Sequence, residues 1–233
     1  MQFRILISGT SKGIGNQLAK YYLENGHIVI GCSRSNCDIS HQNYSHYYLD
    51  VSKEDQVSNI FISIRKKFGG LDVLINNAGI ASLNHTILTP LSTVNKLFET
   101  NFNGTFLFSR QALKLMQKNH FGRIINFSTV AVPLNLEGEA IYASSKAAIE
   151  QFSKVLSKEV GSMGITVNII GPTPIDTDLI KAVPKNKIDE LLNQQAIKMM
   201  GTFEDIINVL DFFINPRSSF ITGQTIYLGG VFK

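Results

Sequence analysis

A chain of 233 residues with 44% hydrophobic and 17% charged side chains can close one sizeable core, and nothing in it calls for a second domain. Its net charge of +4 comes from 22 basic residues scattered among 18 acidic ones, without the basic run that holds nucleic acid, and no apolar stretch reaches the roughly 18 residues that span a bilayer. Cys32 and Cys37 are the only cysteines; their spacing fits neither a CxxC redox pair nor a metal site, so reduced thiols, no bound metal and a cytoplasmic setting are expected.

In chain order, short apolar runs alternate with longer amphipathic stretches, the pattern of βα units around a parallel sheet. "FRILISG" predicts the first strand and "GNQLAKYYLENG" a helix stopped by Gly26. "HIVIGCSR" is the second strand and "HYYLDVS" the third, followed by a helix over about Lys53 to Phe68 whose capping signal is Ser52 with Asp55. "LDVLINNAG" is the fourth strand, and one long helical segment from about Leu91 to Met116 leads to the fifth, "GRIINFST". "YASSKAAIEQFSKVLSKEV" is a helix running into the sixth strand, "ITVNIIG"; "FEDIINVLDFFI" is a helix and "GQTIYLGG" the last strand. The expectation is therefore a doubly wound α/β fold of about seven parallel strands with helices on both faces, whose ligand lies at the carboxyl ends of the strands.

The turn "SGTSKGIG" between the first strand and the first helix places Gly9, Gly13 and Gly15 where backbone N–H groups and a helix dipole converge on an anion. A plain structural turn is the alternative reading of those glycines taken alone. The spacing is Gly-x-x-x-Gly-x-Gly, not the commoner dinucleotide fingerprint Gly-x-Gly-x-x-Gly. Together with "NNAG" at 76–79 and "YASSK" at 142–146, it resembles the short-chain dehydrogenase/reductase family, in particular the compact members similar to 3-oxoacyl-carrier-protein reductases. The resemblance runs the length of the chain.

That resemblance implies a Rossmann-like single domain over 1–233 with a substrate lid at about 178–200. It places Gly9, Ser11, Gly13 and Ile14 along a pyrophosphate, with Gly15 letting the helix approach the strand. Asp50 and Val51 would hold the adenine, and Asn77, Ala78 and Gly79 would lie beside the adenosine ribose. Pro172, Ile175 and Thr177 match residues beside the nicotinamide. Where an NAD site keeps a carboxylate after the second strand, this chain reads Ser33-Arg34, with Lys12 in the glycine turn; cations and a hydroxyl match a 2′-phosphate, so the expected cofactor is NADP(H).

Tyr142 and Lys146 stand one helical turn apart on one face. A nearby ammonium and the positive nicotinamide ring favour phenolate, which is expected to make Tyr142 a usable acid. By resemblance, Lys146 also binds the nicotinamide ribose, and Asn101 distorts its helix to hold a proton relay. The family's catalytic serine corresponds to Thr129 by loop length, with Ser128 as the alternative. Thr173 stands where the family has glycine, which leaves the local backbone in question. In "DLIKAVPKNKIDELLNQQAIKMM", apolar Leu179, Ile180, Val183, Leu191, Leu192, Ile197, Met199 and Met200 either close over a substrate or pack on the sheet edge. The implied function is NADPH-dependent reduction of a ketone, a 3-oxoacyl thioester or related biosynthetic carbonyl, in a homodimer or homotetramer that engages no nucleic acid or membrane. The alternative is a dinucleotide-binding sensor or assembly protein without turnover.

Overall fold

The computed structural model describes residues 1–177, 180 and 183–232. Seven strands, β1 (Arg4–Ser8), β2 (Ile28–Ser33), β3 (Tyr44–Tyr48), β4 (Val73–Asn76), β5 (Gly122–Phe127), β6 (Ile165–Gly171) and β7 (Thr225–Tyr227), form one sheet in the order β3-β2-β1-β4-β5-β6-β7. Every pair is parallel. The sequence predicts this, because near-continuous Ile, Leu and Val in the central strands are compatible only with burial on both faces.

Alternate residues serve opposite layers. Leu6, Ile30 and Leu74 pack beneath α2 (Glu54–Phe68) and α4 (Gly104–Met116), whereas Ile5, Ile7, Val29, Val73 and Ile75 pack beneath α1 (Gly13–Glu24) on the other face. A further helix, α6 (Ala140–Val160), joins the first layer through Leu156 and Val160. On the second layer, α8 (Phe203–Ile214) contributes Ile206, Leu210 and Phe213. Two shorter helices, α5 (Ala131–Leu134) and α7 (Lys185–Asn193), meet in a third cluster through Leu134 and Leu191. No described helix is long and apolar enough to cross a membrane.

One local expectation is corrected. Ser52 does not cap α2: its hydroxyl and its N–H both go to Asp50 Oδ1, at 2.8 and 2.9 Å, and Lys53 occupies the cap without a side-chain bond. A capping box instead opens α8, between Thr202 and Asp205. The stretch 91–116 is helical throughout, with the distortion expected at Asn101. It divides into α3 (Leu91–Leu97), a π-helical segment Phe98–Asn103 and α4.

The strand order reverses between β1 and β4, so the connections leaving their carboxyl ends diverge to opposite faces and open a crevice there. That crevice holds the site.

Candidate active site

The turn after β1 is shaped by backbone that only glycine adopts easily: Gly9 has φ +81° and Gly13 φ +62°. Gly9 and Thr10 N–H groups donate to the Cys32 carbonyl on β2 at 2.8 and 3.2 Å, which aims the rest of the turn outward. At Gly15 an added Cβ would meet Asn77 Nδ2 at 2.5 Å, so its lack of a side chain lets α1 start against the end of β4. Asn77 in turn fastens two strand ends. Its Nδ2 donates to the carbonyls of Ser8 and Gly9 at 2.9 and 3.2 Å, and the Ser8 hydroxyl accepts from the N–H groups of Asn77 and Ala78.

A cavity of about 610 Å³ runs from this turn across the strand ends. Gly9, Ser11, Lys12, Gly13 and Ile14 line its first end; Ser33, Arg34, Asp50 and Val51 form the next wall; Asn77, Ala78 and Gly79 lie in the middle. Thr129, Tyr142 and Lys146 close the far end opposite Pro172, Ile175 and Thr177. Two predicted residues, Gly15 and Asn101, sit behind the lining and act on its shape.

Burial pushes the Asp50 carboxyl up, but the two Ser52 hydrogen bonds and the charges of Arg34 and Lys53 leave it below the ordinary carboxylate range. The Ser33 hydroxyl donates to the Ser35 carbonyl at 2.7 Å and lies 3.1 Å from His46 Nε2. The other ring nitrogen of His46, Nδ1, lies 2.9 Å from Tyr44 Oη, so the imidazole bridges Ser33 and Tyr44. Nothing in the sequence singled out His46, because Ser33 lies across a strand pair.

At the far end, the π-helical turn carries Asn101 inward. Its Oδ1 accepts from Ile80 N–H at 2.9 Å, and its Nδ2 donates to the Ile80 carbonyl at 3.0 Å and to Ser145 Oγ at 2.9 Å. Lys146 Nζ donates to the Phe127 carbonyl at 2.8 Å. A Cβ on Gly79 would lie 3.3 Å from both Asn101 Oδ1 and Lys146 Nζ, so Gly79 is the gap through which those two groups approach each other.

Ser128 and Thr129 face opposite ways, as neighbours leaving a strand do. Ser128 Oγ donates to Glu150 Oε1 at 2.6 Å, where Tyr227 Oη also donates at 2.5 Å. Thr129 instead shares a hydrogen bond with the Tyr142 phenol, and its Oγ1 accepts from Ala131 N–H at 3.2 Å. Thr129, Tyr142 and Lys146 thus converge on one wall, while Ser128 is committed to a buried carboxylate.

Without the positive nicotinamide ring, the protein's own groups move the Tyr142 pKa upward. Burial, reinforced by the Glu139 carboxylate and only partly offset by Thr129, pushes the phenol up to about 12. Burial also brings the Lys146 ammonium down to about 8. Desolvation opposes each charge separately and here outweighs the attraction between them. The phenol is consequently held in its protonated form near neutral pH, the form that can donate.

Thr173 keeps an ordinary backbone, since His120 and Asn135 are the non-glycine residues with positive φ. Its hydroxyl donates to Gln195, whose Nε2 donates to the carbonyls of Ile197 and Met199 at 3.2 Å. Of the apolar lid residues, Ile180, Val183 and Leu191 line the cavity, and Leu192 packs with Val130 and Val231. Ile197 and Met199 face solvent, Met200 is half-buried, and Leu179 lies outside the described residues.

Comparison with known proteins agrees with this arrangement. A family model described as enoyl-(acyl carrier protein) reductase matches residues 9–231. The chain belongs to the short-chain dehydrogenase/reductase family. The 3-oxoacyl-[acyl-carrier-protein] reductase FabG of Salmonella typhimurium is 33% identical, over 97% of this chain and 95% of its own. The solved structure "ElxO with NADP Bound" is 34% identical with a TM-score of 0.89, covering 98% of this chain and 97% of that one. A short-chain dehydrogenase from Leptospira borgpetersenii with bound NAD+ is 25% identical at the same TM-score of 0.89, covering 100% of this chain and 93% of that one. Fold likeness therefore spans both cofactors, and the choice between them rests on side chains.

The residues present fit a dinucleotide. The glycine turn offers free space at Gly13, where an added Cβ would meet nothing within 4 Å, and the cavity is continuous from there to Tyr142. Arg34 and Lys12 line its first half, and the one carboxylate on that wall, Asp50, is held by Ser52.

Proposed function

We propose that this chain reduces a ketone to a secondary alcohol with NADPH. The observation that carries the reading is the convergence of Thr129, Tyr142 and Lys146 at one end of a cavity whose other end is a glycine turn flanked by Lys12 and Arg34. When bound, the cofactor supplies hydride to the carbonyl carbon. Tyr142 Oη gives its proton to the carbonyl oxygen, and Thr129 Oγ1 donates a hydrogen bond to that oxygen as negative charge builds on it. Asn101, through its paired bonds to Ile80, holds the peptide beside which Lys146 lies; Lys146 is the titratable group that returns a proton to Tyr142, and Asn101 positions it. Lys146 also meets the ribose of the cofactor. Arg34 and Lys12, with Ser33 beside them, bind the 2′-phosphate as cations rather than offering a diol the acceptor it needs.

One catalytic unit spans the chain, and the segment 178–200 is its lid, with α7 presenting Leu191 to the cavity. The substrate class is a 3-oxoacyl thioester or a related biosynthetic carbonyl, in the manner of the FabG relatives. A homo-oligomer forms through α4 and α6, where Phe106 and Val155 are exposed and Phe102 and Phe106 both stack edge-on against Phe152. The setting is cytoplasmic.

The test is equilibrium titration with NADPH and NADH, followed by turnover against ketones and 3-oxoacyl thioesters. Selective NADPH binding with turnover is expected. Tight NADPH binding with no oxidation across the panel would contradict the reading.

A further inference from the structure

A second cavity, of about 240 Å³, adjoins the substrate end of the first. Glu139, Pro174, Ile180, Val183 and Leu191 line both, so the two meet at these residues. Four of the five are apolar. Glu139 is the exception, half-buried at the start of α6 and one turn before Tyr142.

The Glu139 carboxylate has no hydrogen-bond donor among the described residues, although its backbone groups are engaged with Leu136 and Ala143. The nearest candidate cation in the adjoining cavity is already matched: Lys187 Nζ lies 2.9 Å from Glu190 Oε2 and 3.8 Å from Glu137 Oε2. Lys146 is likewise engaged with the Phe127 carbonyl. Burial pushes the Glu139 carboxyl above its ordinary range, which is the expected consequence of an acceptor desolvated without a partner. Such a group gains most from a ligand that brings its own donor and loses most from one that brings negative charge.

Resting on the reductase reading above, we propose that Glu139 is a specificity-determining residue that selects ketones carrying a hydrogen-bond donor, such as a hydroxyl, near the carbonyl and an apolar chain beyond it, and that rejects ketones carrying a carboxylate. The carbonyl lies at Tyr142 and Thr129. One helical turn away, about 5 Å, a hydroxyl on the next carbon reaches Glu139. The chain continues between Ile180, Val183 and Leu191 into the second cavity.

The experiment compares kcat/KM for 1-hydroxy-2-octanone, 2-octanone and 2-oxooctanoate with NADPH in the wild type, Glu139→Gln and Glu139→Ala. Calorimetric affinities for the alcohols 1,2-octanediol and 2-octanol give a readout independent of turnover, and NADPH titration shows that each variant is folded. The wild type is expected to favour the hydroxyketone over 2-octanone by on the order of 10-fold, the size of a hydrogen bond to a charged group. Glu139→Ala is expected to bring that ratio, and the diol-to-alcohol affinity ratio, to near one, and Glu139→Gln to raise turnover of 2-oxooctanoate relative to 2-octanone. Ratios that stay unchanged in both variants, with the wild type active, would overturn the role of Glu139 and leave the reductase intact. A wild type that binds NADPH and turns over none of the three ketones would instead overturn the reductase reading, and this inference with it.

Discussion

The two walls of the cavity differ in how their polar groups are used. On the wall made by the ends of β4 and β5, the π-helical turn and the face of α6 that carries Tyr142 and Lys146, each of these polar groups has a partner: Asn101 with Ile80 and Ser145, Lys146 with Phe127, Ser128 with Glu150. On the opposite side, formed by the segment after β6 and by α7, the lining is mostly aliphatic, and at its border the Glu139 carboxylate stands without a donor among the described residues. Chemistry that is the same for every turnover is built on strand ends and on helix faces packed against them, where side chains are fixed. Selectivity lies where the lining varies and a polar group waits for the ligand.

The largest expected break falls on the fixed wall. Tyr142→Phe removes the proton donor and should lower kcat by at least about 10²-fold, the usual scale of general-acid help, with NADPH affinity nearly unchanged; steady-state kinetics and a binding titration measure the two separately. The adjacent hydroxyls sharpen the contrast. Thr129→Ala should cost roughly 10-fold or more in kcat by removing a donor to the developing oxyanion, while leaving the melting temperature close to that of the wild type. Ser128→Ala should do the opposite, destabilising the fold by about 1–3 kcal/mol because a buried carboxylate loses a donor, with a smaller effect on kcat.

Much of this was legible in the sequence. Strand identities followed from apolar runs, and the glycine turn, Asn77, Tyr142 and Lys146 from motif spacing, because those are local patterns. The distortion within 91–116 was legible only through the resemblance at Asn101, since a π-turn is set by what that side chain bonds across space, not by helical propensity. The Ser52 turn was not legible, because Asp50 competes successfully for the hydroxyl. Loop length already favoured Thr129, but the reason to set Ser128 aside, its bond to Glu150 far along α6, was not visible, and the raised phenol pKa of the unliganded site needed the burial of a pair whose charges alone predict the reverse. Glu139 was visible one turn before Tyr142, but its lack of a partner is a property of the assembled cavity.

At the adenosine end, Arg34→Asp should raise the KM for NADPH by on the order of 10-fold relative to that for NADH, since it sets a carboxylate against the 2′-phosphate. An unchanged ratio would remove Arg34 from that role.

The smallest effect is on stability. The Lys146 pKa is lowered to about 8 from 10.5, so between those values the unfolded chain binds the extra proton and the folded one does not. Stability from this group therefore rises with pH across that window, by at most roughly 1 kcal/mol per pH unit. Lys146→Met should remove that slope in denaturant titrations of the unliganded protein, whereas an identical slope in the variant would place the titration elsewhere.

The central claim is that Tyr142, oriented beside Thr129, delivers the proton in NADPH-dependent ketone reduction. Single-turnover stopped-flow of the NADPH-loaded wild type and Tyr142→Phe, mixed with saturating ketone, tests it most directly. The account predicts rapid NADPH oxidation in the wild type and at least about 10²-fold slower oxidation in the variant; equal rates in the two would contradict it.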